Sequence, residues 1–461
     1  MKKYKKYLAT ILAAAFLLTA GGCGSDGDSK EVTENNTSQY KDGKLDLNSA
    51  KVKQKTAVIQ QLIDDNFLYD IDPEKQEEAY YDALLRGLND KYAVYYTPVE
   101  YAHVMEADEG EYVGIGVTVS KDMNTGAVYV VEPIEGSPAE AVGFEADDIF
   151  VQVDDVALTA GMELEEVVKM IRGEEGTKVH VKVYRQSIED YKEFDVERKK
   201  IESVTVKSEM LENGYGYIKV SEFILPTCDQ FTAAVDSLVA QGAKGLILDV
   251  RNNPGGFTDT VIKMVDYLIA DNQVPKDGDT SKPGVLLEMK DKNGKVLYED
   301  YTKDKHSVEL PMAILMNGNS ASSSEIMVGT LRDYGKVIMV GEKSYGKGIV
   351  QQTFPLNDGS AVKMTIAKYY LPSGSNIHET GIEPDIEVEL TTEQKKRLYK
   401  LPHNEDPQLA AAIKALGGDP LPGSENLETG TTETKKPGWV PPTEEPKTET
   451  TEEPRTETTE E

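Results

Sequence analysis

Apolar residues along this chain recur first with a helical period and then with a strand period. Over residues 50–68 the apolar positions Val58, Leu62, Ile63 and Phe67 fall on one helix face. A second helix is predicted over 73–88, with Pro73 in its first turn. From about residue 113 the texture changes to short alternating runs. Residues 113–119, 128–131, 149–153 and 179–184 read as strands, with short helices at 138–142 and 162–171. Beyond residue 204 the strands become continuous apolar runs, at 244–250 (KGLILDV), 311–316 and 337–340. Such runs belong to strands buried on both faces. Helices predicted at 258–269 and 321–332 alternate with them, which points to an α/β core.

Composition sharpens the ends of this picture. Lys2, Lys3, Lys5 and Lys6 precede a short apolar stretch that ends at Ala20-Gly21-Gly22-Cys23. This pattern reads as an export leader whose last four residues resemble a bacterial lipobox, with Cys23 the residue to be lipidated. A plain cleaved signal or an uncleaved anchor is the alternative. Residues 24–49 are polar and read as a flexible tether, and residues 50–109 as an N-terminal helical region. After residue 417 Thr, Glu and Pro dominate, so 418–461 is expected to be a disordered acidic tail. Acidic residues outnumber basic ones 81 to 50, for a net charge of −31. That balance argues against nucleic acid as a partner. The two cysteines, Cys23 and Cys228, offer no disulfide framework if Cys23 is acylated. The five histidines are scattered singly, and no metal or organic cofactor is implied.

Candidate chemistry lies in two places. Gly114-Ile115-Gly116-Val117 enters a strand, and glycines there let backbone N–H groups converge on a peptide carboxylate while the strand pairs with the peptide. The runs 135–140, 146–149 and 171–177 follow in the order of a PDZ-like, partly open β-barrel, placed at 110–190. The second place is the serine run 319–325 (NSASSSE) at a predicted helix start, where free N–H groups and a partial positive charge could receive an oxyanion. Position alone does not choose among Ser322, Ser323 and Ser324, and Ser320 reads as a helix cap. No histidine stands in a triad context. A neutral lysine is the remaining base, and Lys347, between Gly346 and Gly348 with apolar residues after it, is the candidate. Residues 341–348 nearly match a phosphate-binding loop, but Gly348 replaces the required hydroxyl and a strand follows instead of a helix. Ser344 to Lys347 also matches an S-x-x-K motif, which needs a helical turn that Gly346 and Gly348 disfavour. The turn Pro254-Gly255-Gly256 exposes backbone N–H groups after a buried strand, a suitable second oxyanion donor.

These stretches together resemble the carboxyl-terminal processing peptidases, serine proteases that carry a PDZ domain. The matching segments are 87–101 (GLNDKYAVYYTPVEY), the PDZ run, 244–256, 317–341, 345–351 and 369–386, within a span of about 55–415. The resemblance implies a crotonase-like α/β protease domain over 191–417 with the PDZ-like module inserted before it. It implies Ser322 as nucleophile, Lys347 as base, Gln351 as the residue that orients the lysine, and Asp333 as a supporting residue. The oxyanion donors it implies are the backbone N–H of Ser323 and of Gly255 or Gly256. It also implies protein or peptide substrates recognised near exposed C-termini. The lipobox reading gives membrane attachment through a lipid, and the two early helices suggest an assembly element, here a homodimer formed through the N-terminal helices. The alternatives are a non-catalytic PDZ scaffold and a cell-wall amidase or esterase.

Overall fold

The computed structural model describes residues 39–122 and 125–427. The expected leader with Cys23, residues 24–38 of the tether and the tail from residue 428 lie outside the described residues. The chain divides into two compact units, Met1–Glu77 and Glu78–Glu461. In the first, β1 (Tyr40–Lys41) and β2 (Lys44–Leu45) form an antiparallel hairpin. Asp42 and Gly43 close it, both at positive φ, which an Asp-Gly pair adopts readily. The end of the 24–49 segment therefore carries local structure. Ser49 then caps α1 (Ala50–Asn66), its hydroxyl accepting the Val52 N–H at 3.4 Å. Helix α2 covers Pro73–Arg86.

In the second unit, β3 (Val94–Tyr96), α3 (Pro98–Glu109) and β4 (Glu111–Gly114) lead into an inserted module. Its elements are β5 (Val117–Lys121), β6 (Val128–Pro133), α4 (Pro138–Val142), β7 (Ile149–Val153), β8 (Val156–Ala157), α5 (Leu164–Ile171), β9 (Lys178–Arg185) and β10 (Asp190–Glu197). The antiparallel sheet runs β10-β9-β7-β6-β5, with β8 on β7. Strand β9 shows why it forms: Val179, Val181 and Val183 are fully buried while the residues between them face outward. They pack with Ile115, Val130, Phe150 and Val167. β11 (Lys199–Glu202) then pairs with β4, so the chain leaves beside the strand by which it entered. The module thus extends past residue 190, where β10 only begins. Strand β10 is mostly exposed, so it lacks the apolar alternation that marks its neighbours.

The remaining core comprises β12 (Val206–Met210), β13 (Gly216–Val220), α6 (Thr227–Ala240), β14 (Leu246–Asp249), α7 (Thr258–Leu268), β15 (Val285–Lys290), β16 (Val296–Tyr301), β17 (Met312–Met316), α8 (Ser323–Asp333), β18 (Val337–Gly341), β19 (Ile349–Pro355), β20 (Ala361–Tyr370), β21 (Ile386–Glu387), α9 (Thr392–Lys396) and α10 (Pro407–Ala415). The main sheet runs β12-β13-β14-β17-β18-β21 and is parallel from β13 onward. Alternate residues of its central strands serve two cores. Leu246, Leu248, Met312 and Ile314 pack with Phe231, Met264 and Ile326 of α6, α7 and α8. Ile247, Ala313, Leu315 and Val340 pack with Leu409 and Ile413 of α10. The continuous apolar runs in the sequence have this cause. A second, antiparallel sheet runs β16-β15-β20-β19, with β3 on β20. Because β14, β17 and β18 are parallel, the loops after them gather at one edge, where sites form in open α/β sheets.

Candidate active site

The loop after β17 ends at Ser322, directly before α8, in a conformation that side chains rarely adopt (φ 56°, ψ −116°). A non-glycine residue held there costs on the order of 1–3 kcal/mol. The surroundings enforce it, since the Ser322 N–H donates to Glu325 Oε2 at 2.9 Å. The neighbouring hydroxyls are committed elsewhere. Ser320 Oγ donates to the Val250 carbonyl at 2.8 Å, Ser323 Oγ to Gly256 O at 2.8 Å and Ser324 Oγ to Asn253 O at 2.9 Å. All three side chains are fully buried, whereas Ser322 is half-buried and faces a pocket. The serines are therefore not equivalent, although the sequence leaves three of them open.

Lys347 lies in the loop between β18 and β19. Its own N–H donates to Glu325 Oε2 at 2.8 Å, and Gly346 N–H and Ser344 Oγ donate to Oε1 at 2.7 and 2.6 Å. One fully buried carboxylate thus ties the backbone of the serine to that of the lysine. A glycine is required at 348, because a Cβ there would come within 2.4 Å of the His378 backbone nitrogen. The Lys347 ammonium sits 4.7 Å from the centroid of the Tyr92 ring. Burial pushes its pKa down from the ordinary lysine value, and the positive charges of Lys363 and Lys91 act in the same direction. Tyr345 and Glu325 oppose that shift. Among the described contacts no hydrogen bond joins Ser322 Oγ to Lys347 Nζ.

Ser322, Lys347, Gln351 and Gly256 line one pocket of about 170 Å³, with Ile326, Ile349, Val350 and Tyr369 as its apolar wall. Gln351 does not bond the lysine; its Nε2 donates to Thr365 Oγ1 at 3.2 Å. Gly255 packs directly against the serine, since a Cβ on it would lie 2.8 Å from Ser322 Cβ. Its N–H, however, donates to Asn253 Oδ1 at 2.9 Å. Of the two glycines expected as oxyanion donors, Gly256 is the one in the pocket wall. The turn itself rests on a buried ion network. Arg251 pairs with Asp249 at 2.7 Å and with Asp406 at 2.8 Å, and donates to Gln408 Oε1 at 2.9 Å. Burial pushes the Asp249 carboxyl up, but the guanidinium beside it holds it below the usual range. Asp333 does not join the pocket. It ends α8, roughly 15 Å along the helix from Ser323, and binds Arg332 and the Ser373 N–H.

The predicted peptide-binding residues line a separate groove of about 770 Å³. Gly114, Ile115, Gly116 and Val117 form one wall, with Val119, Val168, Ile171 and Arg172. Strand β5 ends its sheet, so its outer edge is free to pair, and the Ser137 hydroxyl donates to Gly116 O at 2.9 Å.

Sequence reasoning missed Glu325, Asp90, Tyr92 and Thr365. Glu325 carries a legible signal, the S-x-x-E spacing from Ser322 that marks a helix start. Asp90 accepts the Tyr92 N–H at 2.9 Å and the Thr365 N–H at 3.2 Å. Burial pushes its carboxyl up; these bonds and the Lys347 charge outweigh it and hold the carboxyl low.

Similarity to known proteins identifies the family. Residues 214–388 match peptidase family S41, and residues 129–185 match the PDZ domain. The carboxy-terminal processing protease CtpA of Bacillus subtilis (strain 168) is 32% identical over 391 residues, covering 85% of this chain and 78% of that one. CtpB of the same strain is 30% identical over 388 residues, covering 83% and 78%. The photosystem II D1 C-terminal processing protease superposes over 81% of this chain and 92% of its own, with 25% identity and a TM-score of 0.44. The chain belongs to peptidase family S41, among the carboxy-terminal processing proteases, which are serine-type peptidases, and it carries a PDZ domain.

Proposed function

We propose that this protease cleaves proteins or peptides through a Ser322/Lys347 dyad. The pocket that Ser322, Lys347, Gln351 and Gly256 share is the observation that carries this reading. In the first step Ser322 Oγ forms a bond to the scissile carbonyl carbon while its proton passes to the neutral Lys347 amine. The oxyanion takes hydrogen bonds from the Ser323 N–H, at the start of α8, and the Gly256 N–H. The C–N bond then breaks and Lys347 returns the proton to the leaving amine. Water, deprotonated by the same lysine, releases the acyl group and restores the serine. Burial of Lys347 supports its role, because a base must be neutral near working pH. The Lys347 amine lies over the Tyr92 ring, and in the reacting complex it forms its hydrogen bond with Ser322 Oγ. Gln351 orients it once Thr365 releases the amide.

The finer aspects of fold and placement belong to the same proposal. The parallel sheet with its second β-layer supports a crotonase-like core, and the single antiparallel sheet of the module supports a partly open barrel. Substrates enter with an unstructured, apolar C-terminus held along β5 at Gly114–Val117. The lipobox at Cys23 and the basic leader support attachment to the outer face of the cell membrane through a lipid. The apolar positions of α1, Val58 and Leu62 among them, support a homodimer through the N-terminal helices. An unfolded reporter with an apolar C-terminus tests the central reading. Wild type should cleave it, and Ser322→Ala and Lys347→Ala should not; equal cleavage by all three would sink it.

A further inference from the structure

The Lys347 ammonium faces an aromatic ring that is not part of the pocket lining and that the dyad chemistry does not use. Tyr92 lies in the loop between α2 and β3, some 255 residues before Lys347 in sequence. Its ring centroid is 4.7 Å from Lys347 Nζ and 4.9 Å from Lys91 Nζ, so one ring serves two ammonium groups. An ammonium over an aromatic face is attracted to the ring's negative quadrupole. Lys91 is held in place by a 2.9 Å hydrogen bond to the Tyr345 hydroxyl.

We propose that Tyr92 is a positioning residue for Lys347: its ring face fixes the resting place of the Lys347 ammonium. This rests on the dyad reading and goes beyond it. The loop that holds the ring is itself pinned to the sheet under the pocket. Asp90 accepts the Thr365 N–H, and Val94, Tyr95 and Tyr96 pair with Lys363, Val362 and Ala361 of β20. Thr365 in turn holds Gln351. One short segment therefore restrains both the lysine and the amide expected to orient it. The same segment runs through α3 and β4 into the peptide groove, and Arg172 of that groove pairs with Glu106 of α3 at 2.9 Å.

The charged and titratable groups around Lys347 are Lys91, Tyr92, Tyr345, Lys363, Glu325 and Asp90. The ring stabilises the charged lysine, so removing it favours the neutral form and lowers the pKa. A cavity opened to water would do the opposite, because hydration favours the ammonium. The sign of the change therefore separates positioning from mere packing.

The experiment is the pH dependence of kcat/KM for the apolar-ended reporter, using the full chain as wild type, Tyr92→Phe and Tyr92→Leu. Tyr92→Leu should move the acid limb down by about half a pH unit or more, and Tyr92→Phe should leave the limb in place because it keeps the ring. Tyr92→Met serves as a second ring-free variant if the leucine variant fails to fold. An unmoved or upward limb in the ring-free variants, or the same shift in Tyr92→Phe, overturns the inference. Lys347→Ala in the same series separates the two ideas. If it is inactive while the limb does not move in Tyr92→Leu, only the role of Tyr92 falls; if it still cleaves, the dyad itself falls.

Discussion

Two cavities in the same compact unit are built from different materials, and the proposed function gives them different tasks. The groove of about 770 Å³ lies between the PDZ domain and residues 203, 204, 206–208 and 222 of the peptidase core, and is bounded by a strand edge, a glycine turn, aliphatic side chains and charged ones such as Glu132, Arg172 and Lys207. The pocket of about 170 Å³ in the peptidase domain is bounded by a strained serine, a buried lysine and a stitched set of backbone groups. The groove can accept many peptides, since main-chain pairing carries no sequence information. The pocket is too small for more than a side chain or two of substrate, and the serines beside Ser322 and the backbone around Lys347 are already committed. In the proposed reading, recognition is permissive and the reaction site exacting. Substitutions should therefore be tolerated in the groove and severe in the pocket.

The largest expected contrast comes from the pocket. Ser322→Ala should lower kcat by on the order of 10⁴-fold or more, while Ser324→Ala should cost mainly stability, because its hydroxyl serves only Asn253. Steady-state kinetics and thermal unfolding on the two variants would separate these outcomes. Next comes the support under the oxyanion turn. Arg251→Met leaves Asp249 and Asp406 buried without a counter-charge and should destabilise the fold by roughly 3–5 kcal/mol, read by urea unfolding. The groove should respond more mildly. A Cβ at Gly116 would lie 2.3 Å from Ser137 Cβ at a φ of +79°. Gly116→Val should raise KM about tenfold for a substrate held by its C-terminus, an effect of about 1.4 kcal/mol, without changing kcat for a short peptide that spans only the pocket. A matching loss on both substrates would erase the division drawn here.

The smallest effect is electrostatic. Lys347 has its pKa lowered chiefly by burial and next by the Lys363 charge. A lowered lysine pKa means that the neutral base is present from a lower pH upward, so activity should rise with pH and level off below about 10.4, the ordinary lysine value. Lys363→Gln removes a repelling charge and raises the Lys347 pKa. The acid limb should then move up by a few tenths of a pH unit, and the shift should shrink in high salt. A downward shift would place Lys363 in some other role.

Much of the fold was legible because burial on two faces leaves a strong mark. KGLILDV announces a central strand, and the valines of β9 announce a half-buried one. Strand β10 and helix α6 left weaker marks, the first because its residues face solvent and the second because its apolar residues are mixed with Thr, Ser and Asp. The lysine was legible from its flanking glycines, and the structure explains Gly348 by the close approach of the His378 backbone and Gly346 by its φ of +89° and the nearby Gly381 backbone. The choice among Ser322, Ser323 and Ser324 was not, since it depends on which hydroxyls meet carbonyls from a turn some 70 residues away. Gln351 was expected beside the lysine but is held by Thr365, a partner fixed by sheet register. Tyr92 lies in the matching segment 87–101, but its role left no mark, because nothing local in that segment shows which charge its ring will face.

The most direct test of the dyad is covalent labelling with an organofluorophosphonate, followed by mass spectrometry of the modified peptide. In wild type the reagent should lose fluoride to a serine oxygen, with the adduct localised by fragmentation to Ser322. In Lys347→Ala, folded but without its base, labelling should fall to background. An adduct on Ser323 or Ser324, or undiminished labelling without Lys347, would contradict the account.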